Sequence, residues 1–350
     1  MTTNYAAIQI IGTQRSGSNL LRVILDQSEE IASPHPPHIF TSFSPLLPIY
    51  GRLTASSYKQ LVSDVVDYVH ANPVPWDGVE LNKEDIYRAS DQFSLPELNR
   101  LVYEEAAKSK GARYWCCKSM ANVHFADELE TAVPDVKYVF LYRDGRDVAA
   151  SFKKAVVGEK HSYHLAKQWS HDQEACLRLE KRTSAARFYK LSYETLIADP
   201  ENTVRSLCRF LDIKYVDSML SFYESKTSRL TAEAGEMWSN LQKPIMKDNT
   251  GKYRSAFSEN DLEIFETVAG NVLQDLGYDL HSQVTAANRA RYTELLLSQE
   301  RILGYTVQNQ ELKKDTLVKA RPSDLENRLP QELIIQQIKS RTLETHSVCI

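Results

Sequence analysis

The first residues whose types and spacing could do chemistry are Gly12-Thr-Gln-Arg-Ser-Gly17. They form a short polar run with one arginine, set between an apolar stretch (Ile8, Ile10, Ile11) and an amphipathic one (Leu20, Leu21, Val23, Ile24, Leu25). That order predicts strand, tight loop and helix. Such a loop leaves the first N–H groups of the helix unpaired beside the positive end of its dipole, a setting that favours a phosphate-like anion. The spacing from Gly12 to Gly17 fits the phosphate-loop template, but Ser18 and Asn19 stand where the template has Lys followed by Ser or Thr. The cation is instead Arg15, inside the loop. Anion binding survives that exchange while hydrolysis of ATP or GTP is disfavoured, and a plain strand-to-helix turn without a ligand fits the same residues.

A second group is Arg143-Asp-Gly-Arg-Asp147, which ends the apolar run from Lys137 and precedes a helical pattern from Val148 to Val157. This strand-turn-helix unit puts Arg143 at the C-terminal edge of a sheet and Ser151 in the following helix. Ligands of open α/β sheets bind at that edge, so both units could serve one nucleotide. A salt-bridged surface turn is the competing account. A third group is His35 and His38, in the stretch from Ile31 to Phe40, where Pro34, Pro36 and Pro37 fix φ and remove donors. The stretch is expected to run extended. The first helix returns the chain here from the loop, so either histidine could face the same cleft as a general base, and two surface histidines are the alternative.

The elements that must position these residues follow from pattern. Leu61, Val62, Val65, Val66 and Val69 recur at helical spacing, and Ser94 with Glu97 makes a capping box before Leu98, Leu101 and Val102. Residues 41–112 therefore read as a helical cap inserted between core strands, on the acceptor side. Further strands are expected at Arg113–Lys118 and Arg187–Leu191, with a helix from about Pro200 to Leu211. Ser258 and Asp261 cap another helix that ends at Gly277. Residues 212–242 show little pattern. The alternation predicts an α/β fold, a three-layer parallel sheet flanked by helices. Residues 1–280 form its domain, and 281–350 a mostly helical C-terminal extension in which no chemistry is read and homodimer contact is left open.

With 350 residues, 42% apolar and 25% charged, the chain is an ordinary globular one, and a net charge of −4 makes no general case for a nucleic-acid partner. No run approaches the roughly 18 apolar residues of a membrane span, and no signal peptide is read, so a cytoplasmic protein is expected. The five cysteines, Cys116, Cys117, Cys176, Cys208 and Cys349, have neither disulfide nor zinc spacing and are expected to be buried free thiols.

The loop Arg15-Ser-Gly-Ser-Asn-Leu-Leu-Arg22 and the turn Tyr142-Arg-Asp-Gly-Arg-Asp-Val-Ala-Ala-Ser151, with Lys118 and Tyr193 in register, resemble the sulfotransferases that use 3′-phosphoadenosine 5′-phosphosulfate (PAPS). The resemblance covers about residues 6–280. It is nearer to the tyrosylprotein and bacterial branch than to the small-molecule cytosolic enzymes, and it implies a P-loop-like nucleotide-binding fold. It also implies that Arg15, Ser16, Gly17, Ser18 and Asn19 cradle the 5′-phosphosulfate, that Arg143 and Ser151 hold the 3′-phosphate, and that Tyr193 lies by the adenosine. Lys247, Lys252 and Arg254 resemble the family's phosphate-contacting segment, with Lys243 able to replace Lys247. Arg15 and Lys118 would neutralise charge on the leaving oxygen, the product nucleotide would be 3′-phosphoadenosine 5′-phosphate (PAP), and no metal is implied. In the tyrosylprotein branch a glutamate takes the acceptor proton, but Pro36 matches that position here. His38, and after it His35, are the titratable groups left in the stretch. A histidine base acting on a hydroxyl of a small molecule, glycan or lipid is the favoured expectation. A protein-tyrosine sulfotransferase, a nucleotide kinase with an altered loop and an inactive nucleotide-binding module are the alternatives.

Overall fold

Ile8 to Ile11 lie in the central strand of a five-stranded, all-parallel sheet. The computed structural model describes residues 5–347, with side chains described as far as Arg341, so Cys349 lies outside the described residues. β1 (Ala6–Ile11) passes through the Gly12–Gly17 loop into α1 (Ser18–Asp26), and β2 (Ile31–Ala32) follows. Next come α2 (Ile39–Phe43), α3 (Leu47–Tyr50), α4 (Ala55–His70), α5 (Lys83–Ala89) and α6 (Leu95–Lys110). β3 (Tyr114–Cys117), α7 (Ala126–Ala132), β4 (Lys137–Tyr142), α8 (Gly145–Phe152) and α9 (Ser162–Arg182) continue the chain. β5 (Phe188–Ser192), α10 (Tyr193–Ala198) and α11 (Pro200–Leu211) complete the alternation. Beyond it lie α12 (Lys226–Glu233), α13 (Tyr253–Ala256), α14 (Glu259–Asp275), α15 (Arg289–Leu296), α16 (Gln299–Val318), α17 (Pro322–Glu326) and α18 (Leu329–Ser347). No helix among the described residues is long and apolar enough to cross a membrane.

The sheet order is β2-β3-β1-β4-β5. The chain leaves β1 to one side for β2 and β3 and to the other for β4 and β5, so the loops after β1 and β4 diverge over a crevice at their C-terminal ends. Alternate residues of each strand face opposite layers. Ile8, Ile10, Cys116, Val139 and Leu141 pack beneath α1, α10 and α11. Ala7, Ile11, Trp115, Cys117, Tyr138 and Phe140 pack against the layer that contains α4, α6, α9 and α14. Each fully buried residue such as Val139, Phe140 or Leu141 stabilises the fold by about 1.5–3 kcal/mol relative to exposure. Cys116, Cys117, Cys176 and Cys208 are free and buried.

Several elements differ from the sequence-based expectation. β2 is a fifth strand, and its two residues are too few to show alternation. The helix expected at Val148–Val157 runs from Gly145 to Phe152. Asp144 caps it by accepting from the Arg146 N–H, and an added Cβ on Gly145 would lie 2.5 Å from the Trp169 ring, so glycine lets α8 start against α9. The extended stretch ends at His38, where α2 begins. The poorly patterned residues 212–242 contain α12 and several 3₁₀ turns.

One buried ion network fixes α8 beside the crevice. Arg146, 1% exposed, reaches Glu266 of α14 at 2.6 Å and Asp144 at 2.8 Å, and Glu266 also accepts from the His281 and Ser282 N–H groups. Glu266→Ala should destabilise the protein by about 3–5 kcal/mol, because it leaves a buried guanidinium half-paired. Denaturant midpoints measure this, with Glu266→Gln expected to lose less.

Candidate active site

The loops at the C-terminal ends of β1, β3, β4 and β5 bring most of the predicted residues to one cleft of about 1080 Å³, with Ser16, Lys247 and Arg254 outside its lining. The cleft is lined by nine Lys and Arg side chains against four Asp and Glu, in a chain whose net charge is −4. A polyanion is the ligand that such a concentration of positive charge attracts.

The Gly12–Gly17 loop turns on two left-handed residues, Arg15 at φ 72° and Gly17 at φ 85°. Gly17 cannot be replaced there without a clash, since a Cβ would sit 2.3 Å from the Tyr193 ring. Gly17 is also the N-cap of α1 and provides no side-chain cap, so the first N–H groups of α1 face the cleft without one. Ser16 Oγ is buried without a hydrogen-bond partner. Ser18 is buried, and Asn19 accepts from Arg22 Nε at 3.3 Å. Arg15 holds an uncommon backbone conformation through its neighbours. Its carbonyl accepts from Arg143 at 3.3 Å, and its guanidinium donates to Ser151 Oγ at 3.1 Å and to the Met237 carbonyl at 3.2 Å.

Arg143 follows β4 and stacks over the Tyr193 ring at 4.4 Å. It donates to the Asn249 carbonyl at 2.7 Å and lies 3.5 Å from Asp147, but its Nε is buried without a partner. Asp147 is occupied elsewhere, since it accepts from the N–H groups of Gly251 (2.7 Å) and Tyr253 (3.0 Å) and so pins the basic loop to α8. Asn249 in turn donates to the Tyr193 hydroxyl at 2.6 Å. Of the basic loop, Lys243 and Lys252 line the cleft, whereas Lys247 and Arg254 do not. All four are exposed, and Arg254 borders a separate groove with Tyr253 and His281.

Lys118 follows β3 and is 5% exposed. Burial, then the charges of Arg22 and Arg15, lower its pKa to about 7. Arg15 is lowered to about 10 by burial and by Arg143. Neither cation has a carboxylate partner within ion-pair distance among the described residues, although burying unpaired charge is costly. These cations, the α1 N–H groups and the orphaned Arg143 Nε form a donor set that suits phosphate and sulfate oxygens, whereas Ser16, fully buried, does not line the cleft.

The histidines enter from the extended stretch after β2. Arg22 on α1 anchors that stretch, donating to the Ser33 carbonyl at 3.0 Å and to Thr231 Oγ1 at 2.7 Å. His35 is buried and edge-on to Trp238, with ring centroids 5.0 Å apart. Asn72 and Trp76 donate to its carbonyl, and the Asn72 amide also faces Nδ1 at 3.3 Å. That environment makes Nδ1 an acceptor and leaves the proton on Nε2, which is buried without a partner. His38 is half-buried at φ 60°, and burial, Lys118 and Arg328 lower its pKa to about 3. Both rings line the cleft together with Lys118.

Sequence reasoning missed Asn72, Met237, Trp238 and Asn249, which lie in loops and 3₁₀ turns without periodicity. It also read no chemistry in the C-terminal extension, yet Leu312, Thr316, Lys319, Arg328 and Gln331 line the same cleft.

The model of the Sulfotransferase family matches residues 7–217, which is more than half of the chain and includes the β1 loop, Lys118, Arg143, Ser151 and Tyr193. The chain belongs to the sulfotransferase family. Among relatives of this family member, a protein-tyrosine sulfotransferase of Drosophila melanogaster is 23% identical over 222 residues, covering 62% of this chain and 40% of that protein. An uncharacterised protein of Aquifex aeolicus (strain VF5) is 22% identical over 255 residues, covering 71% of this chain and 30% of that one. The chain thus spans less than half the length of these two relatives. The sulfotransferase domain from the curacin biosynthetic pathway shares the fold, with a TM-score of 0.55 at 20% identity over 79% of this chain and 99% of that domain. The sulfotransferase domain of the Synechococcus PCC 7002 olefin synthase does so with a TM-score of 0.52 at 21% identity, over 79% of this chain and 96% of that domain.

Proposed function

We propose that this protein transfers a sulfuryl group from PAPS to a hydroxyl of a small-molecule, glycan or lipid acceptor, with His38 as general base. The observation that carries this reading is the convergence of Arg15, Lys118, Arg143 and the α1 N–H groups on one cleft, with neither Arg15 nor Lys118 paired to a carboxylate among the described residues. Family membership supports sulfuryl transfer as the reaction.

When bound, PAPS supplies an activated sulfuryl group whose departure leaves charge on a phosphate oxygen. Gly17 to Asn19 and the N–H groups of α1 hold the 5′ end, and Arg143 and Ser151 hold the 3′-phosphate. Tyr193, packed between Gly17 and the Arg143 guanidinium, holds that guanidinium in place beside the β1 loop, and the adenosine would lie at its edge. Lys243 and Lys252 are better placed than Lys247 and Arg254 to meet phosphate. Arg15 and Lys118, both largely buried, sit where they can stabilise negative charge as it develops. His38 keeps an unprotonated ring at neutral pH and accepts the hydroxyl proton. His35 is held by Asn72 as a donor and orients the stretch that carries His38. The block 41–112 contributes Asn72 and Pro73 to the histidine end, which supports its reading as the acceptor side. Buried free thiols suit a reducing compartment and hence the cytoplasm.

Calorimetric titration with PAP and with ADP tests the nucleotide assignment. PAP is expected to bind at least about tenfold more tightly, since its 3′-phosphate adds charge-assisted hydrogen bonds to Arg143. Arg143→Gln should erase most of the difference. Equal affinity, or no binding of PAP, would remove the assignment.

A further inference from the structure

The C-terminal extension reaches the histidine end of the cleft. α16 and its C-cap line the same cleft through Leu312, Asp315, Thr316 and Lys319, positions that share one helical face. The helix is held to the segment after α8 by the Lys313–Glu159 pair at 2.9 Å and by Asn309, which accepts from the Lys160 N–H at 2.8 Å. Arg328 and Gln331, at the start of α18, continue that wall. All of them lie beyond residue 217, where the family match ends.

The wall is tied to both sides of the histidine pair. Gln331 Nε2 donates to the Tyr68 carbonyl at 3.0 Å, and the Tyr68 hydroxyl shares a hydrogen bond with Ser42 at 2.9 Å. Ser42 lies one turn into the helix that His38 opens, and its N–H donates to the His38 carbonyl at 3.1 Å. On the other side, Asp324 accepts from the Glu236 N–H at 2.9 Å and Arg321 pairs with the Glu236 carboxylate at 3.1 Å. That segment carries Trp238 onto His35. Arg328 is half-buried in the wall and has no ion-pair partner among the described residues. Asp324, one turn earlier, is turned to the Glu236 backbone, and Glu332, one turn later, is exposed.

We propose that residues 324–331 complete the acceptor site and that Arg328 selects acceptors carrying a carboxylate near the reacting hydroxyl. The proposal rests on the sulfotransferase reading above. A planar guanidinium in a partly dry wall pairs with a carboxylate through two parallel hydrogen bonds. The same carboxylate would offset the positive charges of Lys118 and Arg328 that act on His38, and so raise its basicity. A neutral acceptor leaves Arg328 unpaired.

The full-length protein is to be assayed with radiolabelled PAPS and two probe acceptors, ortho-hydroxyphenylacetate and its uncharged amide, alongside PAP titration. The acid is expected to be sulfated with a kcat/KM about 10- to 100-fold above that of the amide. Arg328→Gln should remove that preference through KM for the acid and leave PAP affinity unchanged, while Arg328→Lys restores part of it. Equal turnover of acid and amide, a ratio unmoved by Arg328→Gln, or no transfer to the acid by a protein that binds PAP overturns the proposal. A wild-type protein that fails to bind PAP overturns the sulfotransferase reading instead.

Discussion

His38→Ala should lower sulfuryl transfer by about 10²- to 10⁴-fold, the range of a lost general base, with PAP affinity within a few fold of wild type. The separation is expected because His38 stands at the far side of Lys118 from Arg143 and Ser151 in chain and sheet, on a stretch that follows β2. His35→Ala should also lower turnover, but with a loss of thermal stability, since the buried ring packs on Trp238 and faces Asn72. The pH dependence has a definite sign. His38 is held near a pKa of about 3, against about 6.5 unfolded, so the unfolded chain binds the extra proton between those values. Its contribution therefore makes stability fall as pH drops through that window. The loss should be smaller in His38→Ala, as measured by denaturant midpoints at pH 4 and pH 7. A His38→Ala protein with wild-type turnover would rule His38 out as the base.

Lys118→Met should fold, melt at a higher temperature than wild type and lose about 10²- to 10³-fold in turnover. The stability gain follows from removing a buried cation flanked by Arg22 and Arg15. The activity loss follows from removing a donor that stabilises charge only as it develops. Lys118 titrates near 7 in the fold and near 10.5 in the unfolded chain, so its penalty is full below pH 7 and fades as pH rises toward 10.5. Wild-type stability should thus gain on Lys118→Met as pH rises through that range. Differential scanning calorimetry at pH 6 and pH 9 measures the convergence, and a constant gap between the two proteins would contradict it.

The β1 loop and the Arg143 turn are legible in sequence because local chemistry dictates them. An apolar strand must stop at Gly12, Gly17 takes a backbone conformation that side chains resist, and Ser258 with Asp261 forms the predicted capping box. Segments whose structure is set by distant partners are not legible. β2 pairs over only two residues with Tyr114 and Trp115. α9 buries Ala166, Trp169, Ser170 and Gln173 along a face that is too polar to give an apolar period. The basic loop has no repeating period, so which of its cations line the cleft, Lys243 and Lys252 but not Lys247 and Arg254, emerges only once Asp147 fixes the Gly251 and Tyr253 amides. The extension carries a mixed face, Leu312, Asp315, Thr316 and Lys319, which reads as surface until the cleft is opposite it.

The hydrogen bond from Arg15 to Ser151 links the two ends of the cleft through a single hydroxyl. Ser151 Oγ accepts from Arg15, so its own O–H stays free to donate, and an anion docked there would bond to the hydroxyl without breaking its link to the guanidinium. On the proposed nucleotide reading, each bond of that hydroxyl would then strengthen the other, so a phosphate at Ser151 would hold Arg15 more firmly in place and a nucleotide lacking it would leave the arginine less well fixed.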